Sequence, residues 1–377
     1  MHVADITLFF APHSGGVKRY LLAKRRYLQA QPGMRHSLLV PGPTYRETMP
    51  GVFEHYGTRI LGGGYRVPWN GWRWKGQLKR LAPDVIEVAD PYHLGWFARA
   101  AADDLGVPLV AFAHSDLANV LEARCGATVG AVTRRYLRAF YAQFEQVIAP
   151  SRIIAERLAD LGVQSPVVQP LGVDSEIFHP CRRDAALREQ LGLPADTRLL
   201  IFAGRMGREK QIDRLIEVFD ALGPPYHLLL VGGVRRATWS RGVTLLPYEQ
   251  DSTHLARLLA SADALVHAGI HETFGLVVLE AMACGRPVIA VNAGAIAELV
   301  DDDVGVLAPD AETASLRDAI EGLFERDIER LGHAARLRVE QRYTWERTFA
   351  ALLTRYQHLA HPAAAGGSSS IDLPSTP

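Results

Sequence analysis

The sequence HETFGLVVLEAMACGRPVIAVNAG, residues 271–294, carries more information about this chain than any other stretch. It places two carboxylates, Glu272 and Glu280, eight positions apart around a Phe-Gly loop that opens into an apolar helix ended by Gly285. A buried strand is predicted to follow at once. Glu280 stands among leucine, valine, alanine and methionine, and a carboxylate in such surroundings needs partners because burying an unpaired charge is costly. The pattern therefore indicates a ligand-binding site.

The composition is that of a globular protein with room for two domains. The chain has 377 residues, of which 48% are hydrophobic and 22% charged, so it can bury a large core. Its three cysteines are too few and too scattered for a disulfide framework or a CxxC metal site. The first residues contain no basic leader or cleavage site, and no apolar run reaches 18 residues. We therefore expect a cytoplasmic protein that is neither secreted nor membrane-spanning.

The net charge of zero conceals an asymmetry between the two halves. Residues 1–150 contain 18 Lys and Arg against 11 Asp and Glu, whereas the rest contains 23 against 30. The basic residues of the first half lie beside aromatic ones in three segments, 18–27, 69–80 and 133–144. Such segments suit the inner face of an anionic membrane, but for any one segment taken alone solvated helix faces with aromatics packed inward are the more common explanation. Peripheral membrane contact is a hypothesis, and no nucleic-acid partner is expected.

Short apolar runs alternate with helical patterns along both halves of the chain. Strands separated by helices and buried on both faces indicate parallel, doubly wound sheets, so we predict an α/β protein with two Rossmann-like domains. The break falls in the proline-containing stretch 170–193, and a cleft is expected between the domains. The predicted strands lie within residues 4–10, 36–42, 84–90, 108–115, 146–151, 167–172, 198–204, 226–233, 262–269 and 286–294.

Ligands of open parallel sheets bind beyond the carboxyl ends of the strands, where helix N-termini present free amides. Gly15 and Gly16 follow the first strand and let a backbone approach a ligand, although a Gly-Gly pair alone is more often a plain turn and lacks the third glycine of the dinucleotide fingerprint. Arg205 and Lys210 follow the first strand of the second half. Two cations at such an edge fit a diphosphate, and a solvated loop is the equally weighted alternative.

His114 follows another strand at the predicted cleft, in the sequence His-Ser-Asp. A histidine there can handle a proton or hydrogen-bond a substrate hydroxyl, although an ordinary loop residue is the more common case. A Ser-His-Asp hydrolase is disfavoured because the sequence lacks a GxSxG elbow and adjacent residues cannot form that triad.

Taken together, these motifs resemble those of glycosyltransferase family 4, whose members have the GT-B fold and retain the anomeric configuration. The stretch HETFGLVVLE matches the E-x7-E motif of retaining GT-B enzymes, and several motifs in register are more specific than any one alone. The resemblance covers about residues 10–360. It runs through SGGVKRY, VIAPSRIIAERLADLGV, LGVDSEIFHP, FAGRMGREK, the E-x7-E segment, GVLAPD and YTWERTFAALLTRY.

The resemblance implies four parts of the chain. An acceptor-side Rossmann-like domain would span residues 1–172, and a nucleotide-sugar-binding domain would span 173–344. A C-terminal helix at 345–360 would cross back to the first domain. A low-complexity tail at 361–377 is expected to be disordered.

The resemblance also implies roles for the basic residues and glycines. Gly16 would lie near the donor β-phosphate, and Gly15 would also belong to the donor-binding site. Arg205 and Lys210 would neutralise the leaving nucleoside diphosphate, and they would act most strongly in the transition state, where charge builds on it. No DxD metal motif stands in the expected context, so no metal or other cofactor is expected.

The remaining roles belong to the E-x7-E segment and to His114. Glu272 would hold hydroxyls of the donor sugar, and Glu280 would bind the ribose hydroxyls. The backbone amides around Phe274, Gly275 and Leu276 would contact the sugar and phosphates. His114 would contact the donor sugar near its 6-position. We count Glu272, Arg205, Lys210 and His114 as the candidate catalytic residues.

The predicted function is transfer of a hexosyl group from a nucleoside-diphosphate sugar to a hydroxyl of a glycan or lipid-linked acceptor. The sequence looks most like lipid-directed mannosyl and sulfoquinovosyl transferases, which makes GDP-mannose the first choice of donor. Three alternatives stay open: a UDP-sugar donor, because the loop at 246–250 gives no readable code for the base; a nucleotide-sugar epimerase of the same fold; and an oxidoreductase, which the missing GxGxxG motif disfavours.

Overall fold

The computed structural model describes residues 1–11, 14–60, 64–233 and 241–362. Two sheets dominate it, one in each half of the chain. Most of the tail predicted to be disordered, from residue 363 onward, lies outside the described residues. No helix in the described ranges has the length and apolar character needed to cross a bilayer.

The first half forms an eight-stranded sheet with the order β10-β9-β8-β7-β1-β2-β4-β3, in which every neighbouring pair is parallel except β3 with β4. Its central strands β1, β7 and β8 are buried throughout, as expected for a sheet covered on both faces. A separate antiparallel ribbon is formed by β5 and β6. The strands are β1 His2–Ile6, β2 Arg35–Gly42, β3 Arg46–Met49, β4 Val52–Tyr56, β5 Thr58–Arg59, β6 Arg66–Val67, β7 Val85–Val88, β8 Leu109–Phe112, β9 Gln146–Ala149 and β10 Val167–Val168.

The second half forms a six-stranded, all-parallel sheet with the order β13-β12-β11-β14-β15-β16. Its strand order reverses between β11 and β14, which is the place where doubly wound folds bind ligands. The strands are β11 Arg198–Ala203, β12 Tyr226–Val231, β13 Val243–Leu246, β14 Ala264–His267, β15 Val288–Val291 and β16 Gly305–Ala308.

Helices cover both sheets and connect their strands. Those of the first half are α1 Gly16–Ala30, α2 Gly71–Leu81, α3 Leu94–Leu105, α4 Leu117–Cys125, α5 Ala127–Tyr141 and α6 Arg152–Asp160. Those of the second half are α7 Leu187–Gln190, α8 Ile212–Leu222, α9 Ser252–Ser261, α10 Leu276–Ala283, α11 Thr313–Phe324 and α12 Ile328–Arg342. A last helix, α13 Trp345–Ala360, follows α12.

The predicted α/β class with two doubly wound sheets is confirmed. The hairpin of β3 and β4, the ribbon of β5 and β6, and the strands β13 and β16 were not among the predicted strands. The edge strand β3 is exposed at all four positions, so it lacks the apolar alternation by which a strand is recognised. The acidic run at 301–303 lies at a turn, and Asp301 pairs with Arg338 at 2.9 Å.

The last helix packs on the first half of the chain. Val173 forms a parallel bridge with Thr344, so the two chain crossings between the halves lie side by side. Thr344 caps α13 by accepting from the Arg347 amide, and the Thr348 hydroxyl donates to the Pro170 carbonyl at 3.1 Å. Trp345 and Phe349 stack on each other and contact Tyr20 of α1. Helix α13 therefore completes the core around α1, while the exact predicted boundaries at 172, 344 and 360 stay a prediction.

A buried cluster of charges lies beneath α1 and α13. Lys24 is 1% exposed, and its ammonium pairs with Asp5 at 2.7 Å and with Glu87 at 2.9 Å. Glu87 also accepts from the hydroxyl of Tyr20 at 3.0 Å and from that of Tyr356 on α13. One cation thus holds two buried carboxylates, one of which anchors the last helix.

Replacing Lys24 by methionine should destabilise the protein by about 3–5 kcal/mol, since it leaves two buried carboxylates without their cation. Urea denaturation followed by circular dichroism measures the change. The matched control is Lys79→Met, which removes an exposed pair with Asp104 and should change the unfolding free energy by less than about 1 kcal/mol. Equal effects of the two substitutions would contradict this account of the cluster.

Candidate active site

A cleft of about 850 Å³ lies between the two halves, at the carboxyl ends of their strands. Both halves line it, as the rule for open parallel sheets predicts. All ten residues proposed from the sequence line this cleft: Gly15, Gly16, His114, Arg205, Lys210, Glu272, Phe274, Gly275, Leu276 and Glu280. The structure therefore brings together residues that stand up to 265 positions apart in the chain.

The E-x7-E segment folds as a loop followed by a buried helix. Gly275 has φ +96°, a left-handed conformation that favours glycine, and a Cβ there would meet Ile296 at 3.0 Å. Helix α10 begins at the next residue, and Gly285, at φ +70°, ends its last turn. Glu272 thus stands in the loop and Glu280 on the second turn of the helix, with the amides of residues 274–276 between them.

Glu272 is held by two partners. The Lys210 ammonium forms an ion pair with its Oε1 atom, and His267 Nε2 lies 3.1 Å from the same atom. His267 Nδ1 accepts from the Gly269 amide at 3.1 Å, and burial, with the nearby Lys210 charge, lowers the pKa of His267 to about 3. The ring is therefore neutral and its Nε2–H donates to Glu272. His267 was not predicted from the sequence, where its only signal is its position at the end of β14.

Arg205 and Lys210 lie on one loop after β11 but in different environments. Arg205 is exposed in the open cleft, and no carboxylate pairs with it among the described residues. Lys210 is largely withdrawn from water, and burial lowers the pKa of its ammonium to about 8; the Glu209 charge opposes this and the Arg205 charge adds to it. The guanidinium is thus free for an anionic ligand, whereas the ammonium must be shared with Glu272.

Glu280 is 2% exposed and reaches across the domain boundary. Its Oε1 atom pairs with the guanidinium of Arg19 on α1, while its Oε2 atom is buried without a hydrogen-bond partner in the described structure. Burial raises the pKa of Glu280, and the Arg19 charge opposes that shift. The helix carboxylate that the sequence singled out thus has one satisfied oxygen and one oxygen free to accept. Arg19, five residues after Ser14, was not among the predicted site residues.

His114 stands two residues beyond the end of β8. Its ring stacks on Phe112 at 4.2 Å and meets the edge of Tyr20 at 4.7 Å, and its carbonyl accepts from the Thr273 hydroxyl at 3.0 Å. Burial, with the charge of Lys24, lowers the pKa of His114 to about 3, so the imidazole is neutral. Its Nε2 atom is buried without a partner in the described structure. The ring is therefore held in place with one nitrogen available to a ligand hydroxyl.

Gly15 and Gly16 open helix α1 where the two halves approach each other. A Cβ on Gly16 would meet Leu276 Cδ1 at 3.1 Å, so a larger residue would push α1 away from the start of α10. No heavy atom lies within 4 Å of the Cβ position of Gly15. Gly16 thus serves the close approach of the halves, and Gly15 leaves open space at the cleft.

Three further polar contacts join the halves around the cleft. The Ser151 hydroxyl donates to the Thr273 carbonyl at 2.9 Å. The carboxylate of Glu298 accepts from the amides of Arg152 and Ile153, at 2.9 and 2.8 Å, at the N-terminus of α6. A carboxylate at that end of a helix is favourably placed in its dipole. All three contacts involve residues 151–153, so the N-terminus of α6 joins the second half beside the Glu272 loop.

Family comparisons match both halves of the chain. A family model described as "Glycosyltransferase Family 4" matches residues 14–177, and one described as "Glycosyl transferases group 1" matches residues 184–338. A GDP-mannose-dependent alpha-(1-6)-phosphatidylinositol dimannoside mannosyltransferase of Mycobacterium tuberculosis is 31% identical over 388 residues, covering 97% of this chain and 98% of that protein. A GDP-mannose-dependent alpha-mannosyltransferase of Mycolicibacterium smegmatis is 32% identical and covers 80% of this chain and 82% of its own.

Solved structures share the fold at lower identity. Sucrose-phosphate synthase from Thermosynechococcus elongatus superposes with a TM-score of 0.80 at 22% identity, covering 96% of this chain and 100% of that one. Anabaena HepE in complex with UDP and glucose gives a TM-score of 0.72 at 19% identity, covering 95% and 99%. The two-sheet architecture around a central cleft is therefore common to these proteins.

Proposed function

The chain belongs to the GT-B glycosyltransferases that join a family 4 domain to a group 1 domain, and we propose that it transfers a mannosyl group from GDP-mannose to a hydroxyl of a glycan or glycolipid acceptor. The observation that carries the proposal is the convergence of two cations and two carboxylates, Arg205, Lys210, Glu272 and Glu280, in one cleft between the domains. Cations suit a diphosphate, and carboxylates suit hydroxyls of a sugar and a ribose.

The choice of donor rests on the relatives. The Mycobacterium tuberculosis protein, similar over nearly the whole of both chains, is named as GDP-mannose-dependent, and so is the Mycolicibacterium smegmatis protein. A UDP-sugar is the alternative donor, since HepE was solved with UDP and glucose at lower identity. A nucleotide-sugar epimerase would need no acceptor, so formation of a new glycosidic bond separates the two reactions.

In the proposed mechanism the enzyme acts mainly by stabilising the leaving diphosphate. Arg205 can offer two parallel N–H donors to it, and Lys210 adds a second positive charge. These contacts strengthen as the anomeric bond lengthens, which lowers the barrier rather than merely improving binding. Because the cations supply this charge, we propose that transfer needs no metal and proceeds undiminished in EDTA.

The remaining residues orient the donor. The neutral His114 ring presents a free nitrogen to a sugar hydroxyl, and Glu272, oriented by His267, accepts from others. Binding of the diphosphate would draw Lys210 from Glu272, which releases that carboxylate for the sugar. We further propose that the anomeric configuration is retained, with the acceptor hydroxyl entering on the leaving-group face and its proton passing to the departing diphosphate.

The rate should fall at alkaline pH because Lys210 loses its proton. Burial lowers the pKa of Lys210 to about 8, so the stabilising charge is present below that pH and is lost as the pH rises through it. The ion pair with Glu272 holds the proton, which places the midpoint at or above this value. We expect kcat/KM for the donor to decline from about pH 8 upward. In Lys210→Arg the decline should move to higher pH, and an unshifted profile in that variant would contradict the assignment.

We also propose that the first domain contacts an anionic membrane surface. Trp69 and Trp72 are 76% and 68% exposed, and Trp72 touches Phe97 on α3, beside the exposed Trp96. The Lys75 ammonium lies over the Trp72 ring at 5.6 Å, so basic and aromatic groups share this face. Only part of the 69–80 segment is exposed, since Trp74 is buried.

Flotation with phosphatidylglycerol vesicles tests the membrane contact. Wild-type protein should float with these vesicles at low salt and remain behind with phosphatidylcholine vesicles, and the double variant Trp69→Ala, Trp72→Ala should lose most of the binding. Leu337→Ala, which removes an exposed apolar side chain from α12 in the other domain, is the control. Absence of flotation in the wild type would rule out this surface.

A thermal-shift screen of GDP, UDP and ADP with their sugars tests the donor. A ligand at 100 times its Kd stabilises the native state by about 2.7 kcal/mol, which a melting curve resolves. GDP and GDP-mannose should give the largest shifts, and transfer to an acceptor hydroxyl should then form an alpha-mannoside detectable by nuclear magnetic resonance. A larger shift with UDP would favour the alternative donor, and no shift with any nucleotide would overturn the proposed function.

A further inference from the structure

A second cavity, of about 580 Å³, lies beside the donor cleft, mostly within the first domain. Leu8 and Arg66 line both spaces, so the two adjoin. Lys18 from α1, Arg59 from β5 and Arg66 from β6 bring three positive charges to its wall. None of these three residues was given a role by the motifs or by the proposed donor site.

The positive charge of this cavity is not neutralised by the protein. Glu54 is the one carboxylate on the wall described, and it already pairs with Arg46 at 3.1 Å. Across the described ranges, Lys18, Arg59 and Arg66 pair with no carboxylate. The cavity therefore presents a net positive surface to whatever enters it.

The arrangement of the two arginines is unfavourable for folding alone. Arg59 and Arg66 stand directly opposite each other in the antiparallel pairing of β5 with β6. Like charges at directly opposed positions destabilise a ribbon, and this ribbon has only two residues in each strand. An anion bound between the guanidinium groups would turn this repulsion into attraction.

Two of the cations are partly fixed in place. Arg66 donates from Nη1 to the Gly57 carbonyl at 2.9 Å, which leaves its other N–H groups available. The Lys18 ammonium lies over the Phe10 ring at 5.3 Å and 3.4 Å from the Ala11 carbonyl. Neutral partners of this kind hold a cation without cancelling its charge, which suits recognition of a mobile anion.

We propose that this cavity binds a phosphate group carried by the acceptor, as a monoester or a diester. Planar guanidinium groups match phosphate oxygens bidentately, and three cations suit a group that bears one or two negative charges. Among the described residues, all that line this cavity except Gln250 belong to the first domain, and Arg205 and Lys210 are not among them, so it serves the acceptor rather than the donor diphosphate. That the phosphate belongs to the acceptor rests on the proposed function, but phosphate binding can be measured without turnover.

Isothermal titration calorimetry tests the site directly. The donor cleft is first saturated with the nucleoside diphosphate that gives the largest thermal shift, so that added phosphate cannot occupy Arg205 and Lys210. The probes are glycerol 3-phosphate, a soluble monoester; glycerophosphoinositol, the soluble headgroup of a lipid diester; and glycerol. Both phosphates should bind and glycerol should not, with affinity falling as salt rises. Tighter binding of glycerol 3-phosphate would indicate a phosphate monoester as the source, and tighter binding of glycerophosphoinositol would indicate a lipid headgroup.

Two variants and one control complete the experiment. Arg59→Gln and Lys18→Gln should each weaken phosphate binding at least tenfold while leaving the affinity for the nucleoside diphosphate unchanged. Arg35→Gln, which removes an exposed arginine of the same domain outside both cavities, should bind like the wild type. The proposal is wrong if the saturated protein binds neither phosphate, or if Arg59→Gln binds them with wild-type affinity.

A different set of results would show that the proposed function, rather than the anion site, is wrong. If no nucleotide binds, the titration is run without one. Phosphate binding that is lost in Arg59→Gln but kept in Arg205→Ala would then support the anion site while the glycosyl-transfer proposal falls. Binding that depends on Arg205 instead would assign the phosphate to the donor cleft and overturn the inference.

Discussion

Replacing Arg205 by alanine is expected to reduce kcat by about 10²–10³-fold, with a much smaller change in the affinity for the donor. The guanidinium lines the cleft without a protein partner, so its removal leaves no buried charge behind and should not disturb the fold. The loss should fall on kcat because the diphosphate gains charge chiefly in the transition state.

Steady-state kinetics with varied donor, together with calorimetric affinities for the nucleoside diphosphate, separate these effects. Arg208→Ala is a close control, since Arg208 is an exposed arginine three residues further on that does not line the cleft. It should stay within a few-fold of the wild type. An Arg205→Ala enzyme with nearly normal turnover would remove the leaving-group role from this residue.

Replacing Glu280 by leucine is expected to remove the preference of the protein for a ribose over a 2′,3′-dideoxyribose. The free Oε2 atom is buried, and hydrogen bonds to a charged group contribute about 1.5–3 kcal/mol, which corresponds to about 10–100-fold in affinity. The wild type should therefore bind the ribose form of the nucleoside diphosphate more tightly by that factor. The leucine variant should bind both forms equally.

Arg19→Met offers a second readout of the same carboxylate. Burial raises the pKa of Glu280 and Arg19 opposes the shift, so loss of Arg19 should raise that pKa further. The neutral acid accepts hydrogen bonds less well, and the ribose preference of the variant should therefore strengthen as pH rises. Glu272→Gln, which should keep the preference at every pH, is the control. A ribose preference that persists in Glu280→Leu would disprove the assignment.

Local patterns singled out many residues that line the cleft, because nearly all of these residues follow a strand or open a helix. Gly275 and Gly285 could be anticipated from the turns that bound α10, and the placement of Arg205 and Lys210 from the loop after β11. Arg19 could not be recognised in this way, since its partner Glu280 lies 261 positions away and a single sequence contains no record of that contact. His267 was missed for a related reason: as the last residue of a buried strand it resembles a core histidine.

The fold, like the site, was predictable where a local sequence pattern marks an element. Doubly buried strands such as β8 and β15 are continuous apolar runs, whereas β3 is exposed and β5 and β6 are two residues each, too short to carry a periodic pattern. The charge cluster around Lys24 also escaped prediction, because helical periodicity placed a lysine on a solvated face. Tertiary packing against Asp5 and Glu87 overrides that local expectation.

The return of α13 to the first domain has a consequence for how the protein is made. Chains emerge from the ribosome N-terminus first, and domains generally fold as they appear. Here the helix that covers α1 and supplies Tyr356 to Glu87 is synthesised only after the whole second domain. In the nascent first domain, Tyr20 and its neighbours therefore stay uncovered until α13 has been synthesised. The second domain lies between the two chain crossings and can fold before that.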